Sequence, residues 1–547
     1  MALNGSHDAV VIGSGAGGAA AAWQLCALGL RVLLLEAGPA FDPVVDYPLD
    51  TPGWERRPFP VKSGSRAQVS WGDLGTLAPE DEDLADWSQA GFPWRLPAGS
   101  ARPPLNEGYF HVMGVGGSTL HFVGEAHRFH PDAFRAGSLT GDGADWPIGY
   151  ADLEPYYTRV EQMIGVAGTP EDGGRWRSQP YPLPAHPLSP GAQVLLEAGK
   201  KIGQGWQVNP HFTLSEPYDD RPPCNYCGQC ARGCPLGDKG STDVSLLRRA
   251  HATGRLTLIP NATVTQLHPG PGGRIERATV IVGDVAQDVE TPMVFLAAGA
   301  VQTPRLLLAS ANRDHAEGLA NGSGQLGRNF METLSLRSVG LAKAPIRSQF
   351  GLPADAIWWG PGARAGFRLN HTTSETGLNG PIAYANRLLP GFGNDLKAAM
   401  RQNFGAAIAV GAIGQVVPDA RSHIQLDPQL RDAFGQPIAR ISSVLTAQSI
   451  ARLRAMRTAA RAVLAAADTT LVEEASSRDT FSATHVFGTA RMGREAETSV
   501  VTPLCRAHDH ENLWITDASV FPSSGFGESP SLTIMALALR SAEAAAA

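Results

Sequence analysis

The stretch Asp8-Ala-Val-Val-Ile-Gly-Ser-Gly-Ala-Gly-Gly-Ala19 decides the fold of the N-terminal part of this chain. Its apolar first half predicts a buried strand, and its glycines open an alanine-rich helix that continues to Leu28. Gly13, Gly15 and Gly18 stand at the three glycine positions of the dinucleotide fingerprint, which serve a tight turn, close approach to a pyrophosphate and helix-on-strand packing. The sequence therefore predicts a βαβ unit that binds a dinucleotide at a helix N-terminus.

A second predicted strand, Arg31 to Leu35, ends at Glu36, 18 residues after Gly18. An acidic residue at this place can accept hydrogen bonds from the ribose of a bound adenosine. The glycines follow a strand, open a helix and lead to a second strand with an acidic end, and this context favours binding over a chance Gly-rich turn. The motif does not separate NAD from FAD.

The composition is typical of a well-buried globular protein. Of 547 residues, 43% are hydrophobic and 18% are charged, which excludes a disordered chain. The 45 Lys and Arg against 52 Asp and Glu give a net charge of -7, so nucleic acid is not an expected partner. We find no run of about 18 apolar residues to span a membrane and no signal peptide at the start, and we expect a cytoplasmic protein.

Four of the six cysteines, Cys224, Cys227, Cys230 and Cys234, lie in one short run followed by Pro235. Their spacing, C-x2-C-x2-C-x3-C-P, is that of thiolates which ligate an iron-sulfur cluster. The fourth thiolate would complete a 4Fe-4S cluster or lie beside a 3Fe-4S cluster. A structural zinc prefers longer gaps between Cys pairs, and disulfides are rare in a reducing compartment, but both remain alternatives.

The rest of the chain alternates structured and irregular stretches. Between Gly165 and Pro223 it is rich in Pro, Gly, Trp and Tyr, which predicts irregular, extended surface structure. Val294 to Ala298 predicts a strand, followed by a helix beginning near Gln302. Near the C-terminus, Leu513 to Asp517 predicts a strand and Ser531 to Ala545 a helix.

Seven separated motifs together resemble the glucose-methanol-choline (GMC) family of flavin oxidoreductases. They are Gly13 to Gly18 with Glu36; Gly114 to His121; Asn261 to Val264; Leu296 to Ala300 with Thr303 to Leu307; Leu326 to Asn329; His485 to Gly493; and Thr516 to Ser519 with Pro530 to Ile534. The resemblance implies FAD rather than NAD. It also implies an α/β fold, in which a Rossmann-like FAD-binding domain carries an inserted α+β substrate-binding domain.

On this basis we divide the chain into five segments. They are residues 1–165, the first part of the FAD-binding domain; 166–250, a Pro/Gly-rich excursion with the Cys cluster; 251–333, the second FAD-binding part; 334–483, the substrate-binding domain; and 484–547, the C-terminal FAD-binding part with the catalytic histidine.

The resemblance also implies roles for single residues at the cofactor. Val264 would contact the adenine side, and Asp517 would lie near the ribityl-phosphate. Gly117, Ser118 and His121 lie in a loop that passes close to the isoalloxazine in similar proteins. His121 matches a histidine that pyranose oxidases attach covalently to FAD, although a non-covalent histidine packed beside the ring fits the sequence equally.

His485 is the candidate base, because an imidazole that titrates near neutral pH can take the hydroxyl proton while the carbinol hydride leaves for the flavin. A histidine that merely bonds its own loop is the alternative. The family usually has a second His or Asn directly before the Pro of its last motif, whereas this chain has Ser529. Ser529, or Glu528, could bond the substrate oxygen, but Ser before Pro is also a typical helix N-cap. In either case the helix N-terminus would favour negative charge on the reduced flavin.

The sequence thus predicts an FAD-dependent dehydrogenase that oxidises a hydroxyl of a sugar, glycoside or other alcohol to a carbonyl. Its electrons would leave through the iron-sulfur cluster to a small subunit or a cytochrome, as in similar enzymes with a Cys cluster. An oxygen-using oxidase with structural cysteines, a lyase and an electron-transfer flavoprotein are the alternatives. Trp358, Trp359 and Tyr384 are available to stack against a sugar or aryl ring of the substrate, although such aromatics are more often plain core. If the protein functions in a periplasm, it would have to be exported together with a partner that carries the export signal.

Overall fold

The computed structural model describes residues 6–47, 69–76, 96–97, 109, 111–141, 143–170, 173–348, 350–372, 381–389, 391–477, 481 and 484–547. A five-stranded sheet forms the first layer of the structure, and all of its strand pairs are parallel. In order across the sheet, its strands are β21 (Leu513–Ile515), β13 (Val294–Leu296), β1 (Ala9–Ile12), β2 (Val32–Leu35) and β9 (Leu256–Ile259). The strands are short apolar runs, as expected where helices cover both faces of a parallel sheet.

Helix α1 (Ala16–Ala27) follows β1 through the glycine turn, as predicted. Gly13 has a φ of +93°, a left-handed conformation that side chains rarely adopt. A Cβ on Gly18 would lie 1.8 Å from the Gly13 carbonyl oxygen, so the helix packs on the turn only with glycine there. Helix α11 (Ser531–Ala546) packs against α1, which brings the two ends of the chain together.

A six-stranded antiparallel sheet forms the second layer. In order, its strands are β20 (Thr469–Ser476), β14 (Leu334–Ala342), β17 (Ala407–Gly414), β16 (Phe367–Thr372), β15 (Ala356–Trp358) and β8 (Gln207–Val208). Helix α10 (Ala447–Ala466) packs against β14, β17 and β20, and helix α5 (Pro190–Ile202) packs on α10. The predicted fold class, a Rossmann-like domain with an α+β domain, is confirmed.

Smaller sheets and helices complete the described structure. The strands are β3 (Val69–Trp71), β4 (Gly75–Thr76), β5 (Leu96–Pro97), β6 (Ala167–Gly168), β7 (Leu183–Pro184), β10 (Ala262–Pro269), β11 (Ile275–Val282), β12 (Val285–Glu290), β18 (His423–Arg431) and β19 (Pro437–Ser442). The α-helices are α2 (Pro43–Asp46), α3 (Ala136–Thr140), α4 (Tyr150–Ile164), α6 (Leu246–Ala252), α7 (Gly299–Ala309), α8 (Pro381–Leu388) and α9 (Gly393–Asn403). Short 3-10 turns cover Gly117–Leu120, Pro131–Arg135, Pro271–Gly273, Ala363–Ala365 and Ala518–Val520.

The prediction of irregular structure for the Pro/Gly-rich stretch is wrong where β6, β7, α5 and β8 form. Helix α5 begins where Ser189 caps it and Pro190 occupies its first turn, a favourable start that proline content alone conceals. Strand β8 joins the edge of the six-stranded sheet. Among the described helices, none combines the length and the apolar character that crossing a membrane requires. The five segment boundaries remain predictions.

Candidate active site

A cavity of about 1280 Å³ lies between the two layers. One end meets the carboxyl ends of β1, β2 and β13, where ligands of open α/β sheets bind. The other end meets residues of β14, β16, β17 and β20 of the six-stranded sheet. The cavity therefore extends from the residues predicted to bind the cofactor to the predicted substrate-binding domain.

The cofactor end is a cradle built from glycines. A Cβ on Gly117 would lie 2.8 Å from the Gly15 Cα, so two loops meet here without side chains. Gly13, Gly15 and Gly117 all line the cavity. Bare backbone of this kind permits the close approach that a pyrophosphate needs. Gly18 does not line the cavity; it acts through its packing on Gly13.

Glu36 and Val264 line the same end of the cavity. The Glu36 carboxylate accepts hydrogen bonds from the Ser14 amide (3.0 Å), the Ser14 hydroxyl (2.6 Å) and the Gly38 amide (2.9 Å). Burial raises the pKa of Glu36, and these bonds oppose that shift. Glu36 therefore ties the end of β2 to the glycine turn, and its ribose contact remains a prediction.

Three helices begin at the cavity. The first residues of α1, α7 and α11 all line it. Asp517 accepts hydrogen bonds from the Gly299 amide (2.9 Å), the Thr303 hydroxyl (2.6 Å) and the Ser519 amide (2.8 Å), which fixes the start of α7. That helix begins three residues before the predicted Gln302. Unpaired amides and helix dipoles at these N-termini favour anionic groups. Together with the glycine cradle, this arrangement fits an FAD molecule.

His121 connects the cavity to the cysteine run. Its Nδ1 donates a hydrogen bond of 2.7 Å to the Ala231 carbonyl oxygen. The buried Lys239 Nζ donates to the carbonyl oxygens of Leu120 (2.8 Å), Phe122 (3.1 Å) and Cys230 (2.7 Å). These bonds hold the cysteine run against the loop that contains Ser118, whose hydroxyl accepts from the Val112 amide at 3.3 Å. Ser118 and His121 both line the cavity.

The four thiols of the run differ in their exposure and in their hydrogen-bond partners. Cys230 is buried, Cys227 is exposed, and Cys224 and Cys234 are half-buried. The Cys224 Sγ accepts from the Tyr226 amide at 3.3 Å, and the Cys234 Sγ bonds the Asp238 carboxylate. Within the described part of the chain, no three Cys, His, Asp or Glu side chains are grouped to hold a metal. The arrangement seen here does not fit a cluster, and the iron-sulfur ligands remain a prediction.

His485 lines the substrate end of the cavity. Its backbone amide donates to the Thr333 hydroxyl at 2.8 Å, and that hydroxyl donates to the His485 carbonyl oxygen at 2.9 Å. No described residue bonds its buried Nδ1. Burial and the nearby Arg368 guanidinium lower the pKa of His485 to about 4, although Glu125 acts in the opposite direction. The ring is therefore neutral near pH 7 and can accept a proton.

Ser529 also lines the cavity, and it is not a helix cap. Pro530 occupies the N-cap of α11. The Ser529 amide donates instead to His127 Nδ1 (3.0 Å), and its hydroxyl donates to the Glu125 carboxylate (2.8 Å). Glu528 lies outside the cavity lining, because its carboxylate is bound to Arg175 and to the His130 and Phe526 amides.

Glu125 and Arg368 are site residues that sequence reasoning missed. They form a buried ion pair with an N–O distance of 2.6 Å and side chains 8% and 1% exposed. The Arg368 Nε donates to the Gly527 carbonyl oxygen (2.7 Å) and its Nη1 to Asn370 Oδ1 (2.9 Å). Burial works to raise the pKa of Glu125, but the charge of Arg368 and the bonds from Ser529 and Arg368 hold it at about 2. No local motif marks either residue.

The expected aromatic stacking residues lie elsewhere. None of Trp358, Trp359 and Tyr384 lines the cavity. Tyr384 is core, with its hydroxyl bonded to the Asn403 carbonyl oxygen. The guanidinium of Arg175 lies 3.5 Å from the Trp359 ring centroid. The structure therefore places none of these rings at the substrate end of the cavity: Tyr384 is core, and Arg175 covers the Trp359 ring.

Three models of known protein families match parts of this chain. Residues 141–334 and residues 418–538 match two models described as GMC oxidoreductase, and residues 11–41 match a model described as an NAD(P)-binding Rossmann-like domain. The chain is similar to the fructose dehydrogenase large subunit of Gluconobacter japonicus, with 28% identity over 98% of this chain and 97% of that protein.

Two further similarities come from proteins named as oxidases. Paromamine 6'-oxidase of Streptomyces fradiae is 28% identical over 98% of this chain and 91% of its own length. The crystal structure of pyridoxine 4-oxidase from Mesorbium loti superposes with a TM-score of 0.62 at 19% identity, covering 98% of this chain and 99% of that one. The structural similarity concerns the fold.

Proposed function

Because the chain belongs to the GMC oxidoreductase family and is an FAD-dependent oxidoreductase, we propose that it is a dehydrogenase which oxidises a hydroxyl of a sugar, glycoside or other alcohol to a carbonyl. The observation that carries this proposal is His485, a neutral imidazole with an unpartnered Nδ1 in the wall of the cofactor cavity. Bound FAD supplies the acceptor for the carbinol hydride.

Each predicted cofactor residue has a place in this proposal. Gly13, Gly15 and the start of α1 would hold the pyrophosphate, with Gly18 packed against Gly13, and Glu36 would bond the adenosine ribose. Val264 would contact the adenine side of FAD. Asp517, together with α7, would lie near its ribityl-phosphate. Gly117, Ser118 and His121 would lie beside the ring system, where His121 either packs or attaches covalently.

His485 would take the hydroxyl proton as the hydride leaves, and Ser529 would hold a substrate oxygen. General bases of this kind contribute about 10²- to 10⁴-fold to a rate. The first amides of α11 would stabilise the negative charge that two-electron reduction brings to the cavity. All of these groups line one cavity.

The electron acceptor is the second part of the proposal. We propose that the electrons leave to a small subunit or a cytochrome, on the side of the cavity where His121 bonds Ala231 of the cysteine run, because a similar protein is named as a large subunit. An arrangement with a partner would also allow co-export to a periplasm. No group of side chains that could hold a metal forms among the described residues, so we derive no step through a cluster. An oxidase is the second candidate, favoured by the relative named paromamine 6'-oxidase.

One experiment separates these candidates. Protein purified without oxygen is assayed for iron and acid-labile sulfide, and its absorption spectrum is recorded before and after a panel of sugars and alcohols is added. Stoichiometric iron and sulfide with a flavin that bleaches supports the relay dehydrogenase. A bleaching flavin without iron, with peroxide formed in air, supports the oxidase, and no bleaching with any alcohol contradicts both.

A further inference from the structure

A closed ring of hydrogen bonds surrounds Ser529. The Ser529 amide can only donate, so His127 Nδ1 accepts and the proton of this neutral imidazole lies on Nε2. His127 Nε2 then donates to Asn209 Oδ1 at 2.8 Å, and Asn209 Nδ2 donates to Glu125 Oε1 at 3.0 Å. The other carboxylate oxygen, Glu125 Oε2, accepts the Ser529 hydroxyl at 2.8 Å, which closes the ring. Every donor in the ring is thereby assigned.

This ring fixes which way Ser529 can bond a ligand. Its only hydroxyl proton is given to the ionised Glu125, so the oxygen presents lone pairs. Arg368 Nη2 lies 3.4 Å from one side of that oxygen, and a ligand in the cavity can reach the other. Ser529 therefore binds a group that donates a hydrogen bond.

Arg368 supplies the opposite polarity beside it. A guanidinium has five N–H donors, and the bonds of Arg368 to Gly527, Asn370, Glu125 and Ser529 use four of them. One Nη1 hydrogen is left for a ligand in the cavity that Arg368 lines. Arg368 therefore binds a group that accepts a hydrogen bond.

We propose that Ser529 and Arg368 together bind a second hydroxyl of the substrate, which makes this enzyme selective for diols over simple alcohols. A hydroxyl donates to Ser529 and accepts from Arg368 at once. The reacting hydroxyl gives its single proton to His485, so it cannot also be the donor to Ser529. This inference rests on the proposed function and names its substrate class.

The same contacts disfavour a 2-hydroxy acid. A carboxylate has no proton to give to the lone pairs of Ser529. The charge of Arg368 is matched by Glu125 within the ion pair, so the site offers no net positive charge to an anion. The preferred substrate is a neutral polyol.

The test is anaerobic stopped-flow bleaching of the flavin in the whole holoenzyme, with 1,2-butanediol, 1-butanol and 2-hydroxybutanoate. The second-order rate constant for the diol is expected to exceed that for 1-butanol by about 10- to 100-fold. In Ser529→Ala that ratio falls to about threefold or less, through a weaker apparent affinity for the diol. In Ser524→Ala the ratio is unchanged, because Ser524 lies in the same loop but bonds Val416 and does not line the cavity.

Glu125→Gln provides a second arm that tests charge. The Gln amide oxygen can still accept from Ser529 and Arg368, but the charge of Arg368 becomes unmatched. The rate constant for 2-hydroxybutanoate relative to 1,2-butanediol is expected to rise about tenfold. Equal rates for diol and 1-butanol in the wild type, or an unchanged ratio in Ser529→Ala, would overturn the inference and leave the proposed function standing. Absence of bleaching by every alcohol and sugar would contradict the proposed function itself.

Discussion

The pH dependence of substrate oxidation is the strongest check on His485 as the base. Burial and Arg368 lower the pKa of His485 to about 4. A group with this pKa is about 90% neutral at pH 5, whereas an ordinary histidine with a pKa of 6.5 is about 3% neutral there. The neutral, proton-accepting fraction at pH 5 thus differs about 30-fold between the two cases. The rate of flavin reduction should therefore stay nearly constant from pH 8 to pH 5.

The assay is anaerobic flavin reduction with one alcohol substrate between pH 4 and pH 8, for the wild type and for His485→Asn. An asparagine cannot take the proton, so the rate of flavin reduction in the variant should be about 10²- to 10⁴-fold lower. This remaining rate should no longer fall as the pH approaches 4. His251→Asn, an exposed histidine on α6, is the matched control and should behave as the wild type. A wild-type rate that already halves near pH 6.5, or an unchanged rate in His485→Asn, would refute the assignment.

Three further predictions concern the cofactor and the fold. Gly18→Ala should be purified with less than a tenth of the wild-type flavin per protein, measured by absorbance, because its Cβ would lie 1.8 Å from the Gly13 carbonyl oxygen; normal flavin content would contradict the packing argument. Arg128→Met should lower the free energy of unfolding by about 3–5 kcal/mol in urea titrations, because it leaves Glu154 buried without its cation and Glu161 with Arg177 alone. The free energy of unfolding should also decrease as the pH is lowered. Burial lowers the pKa of His111 and of His211 to about 4. Each shift makes about 3 kcal/mol of stability depend on pH. This stability is present in full above pH 6.5 and is lost as the pH falls to about 4. A urea midpoint that is the same at pH 7 and pH 4.5 would contradict this.

Local patterns predicted the cofactor end of the molecule well. The β1–α1–β2 unit, strand β13 with its helix and strand β21 with α11 each lie within one short stretch, where glycine positions and apolar runs dictate the backbone directly. The structure brings the predicted Gly13, Glu36, Val264 and Asp517 to one cavity. Prediction failed at α5, where a capped helix lies inside a stretch whose composition indicated a loop.

The substrate end was decided by tertiary structure. Glu125 and Arg368 are 243 residues apart in sequence, and Ser529 and His127 are 402 apart, so no spacing rule connects them. They meet because strand β16 and the loop before α11 pack on the same face of the cavity. Sequence alone determined that the chain binds a dinucleotide, since that depends on backbone conformation near single glycines. Only the packed structure decided the polarity of Ser529, since a hydroxyl points its proton at whichever acceptor the fold places beside it.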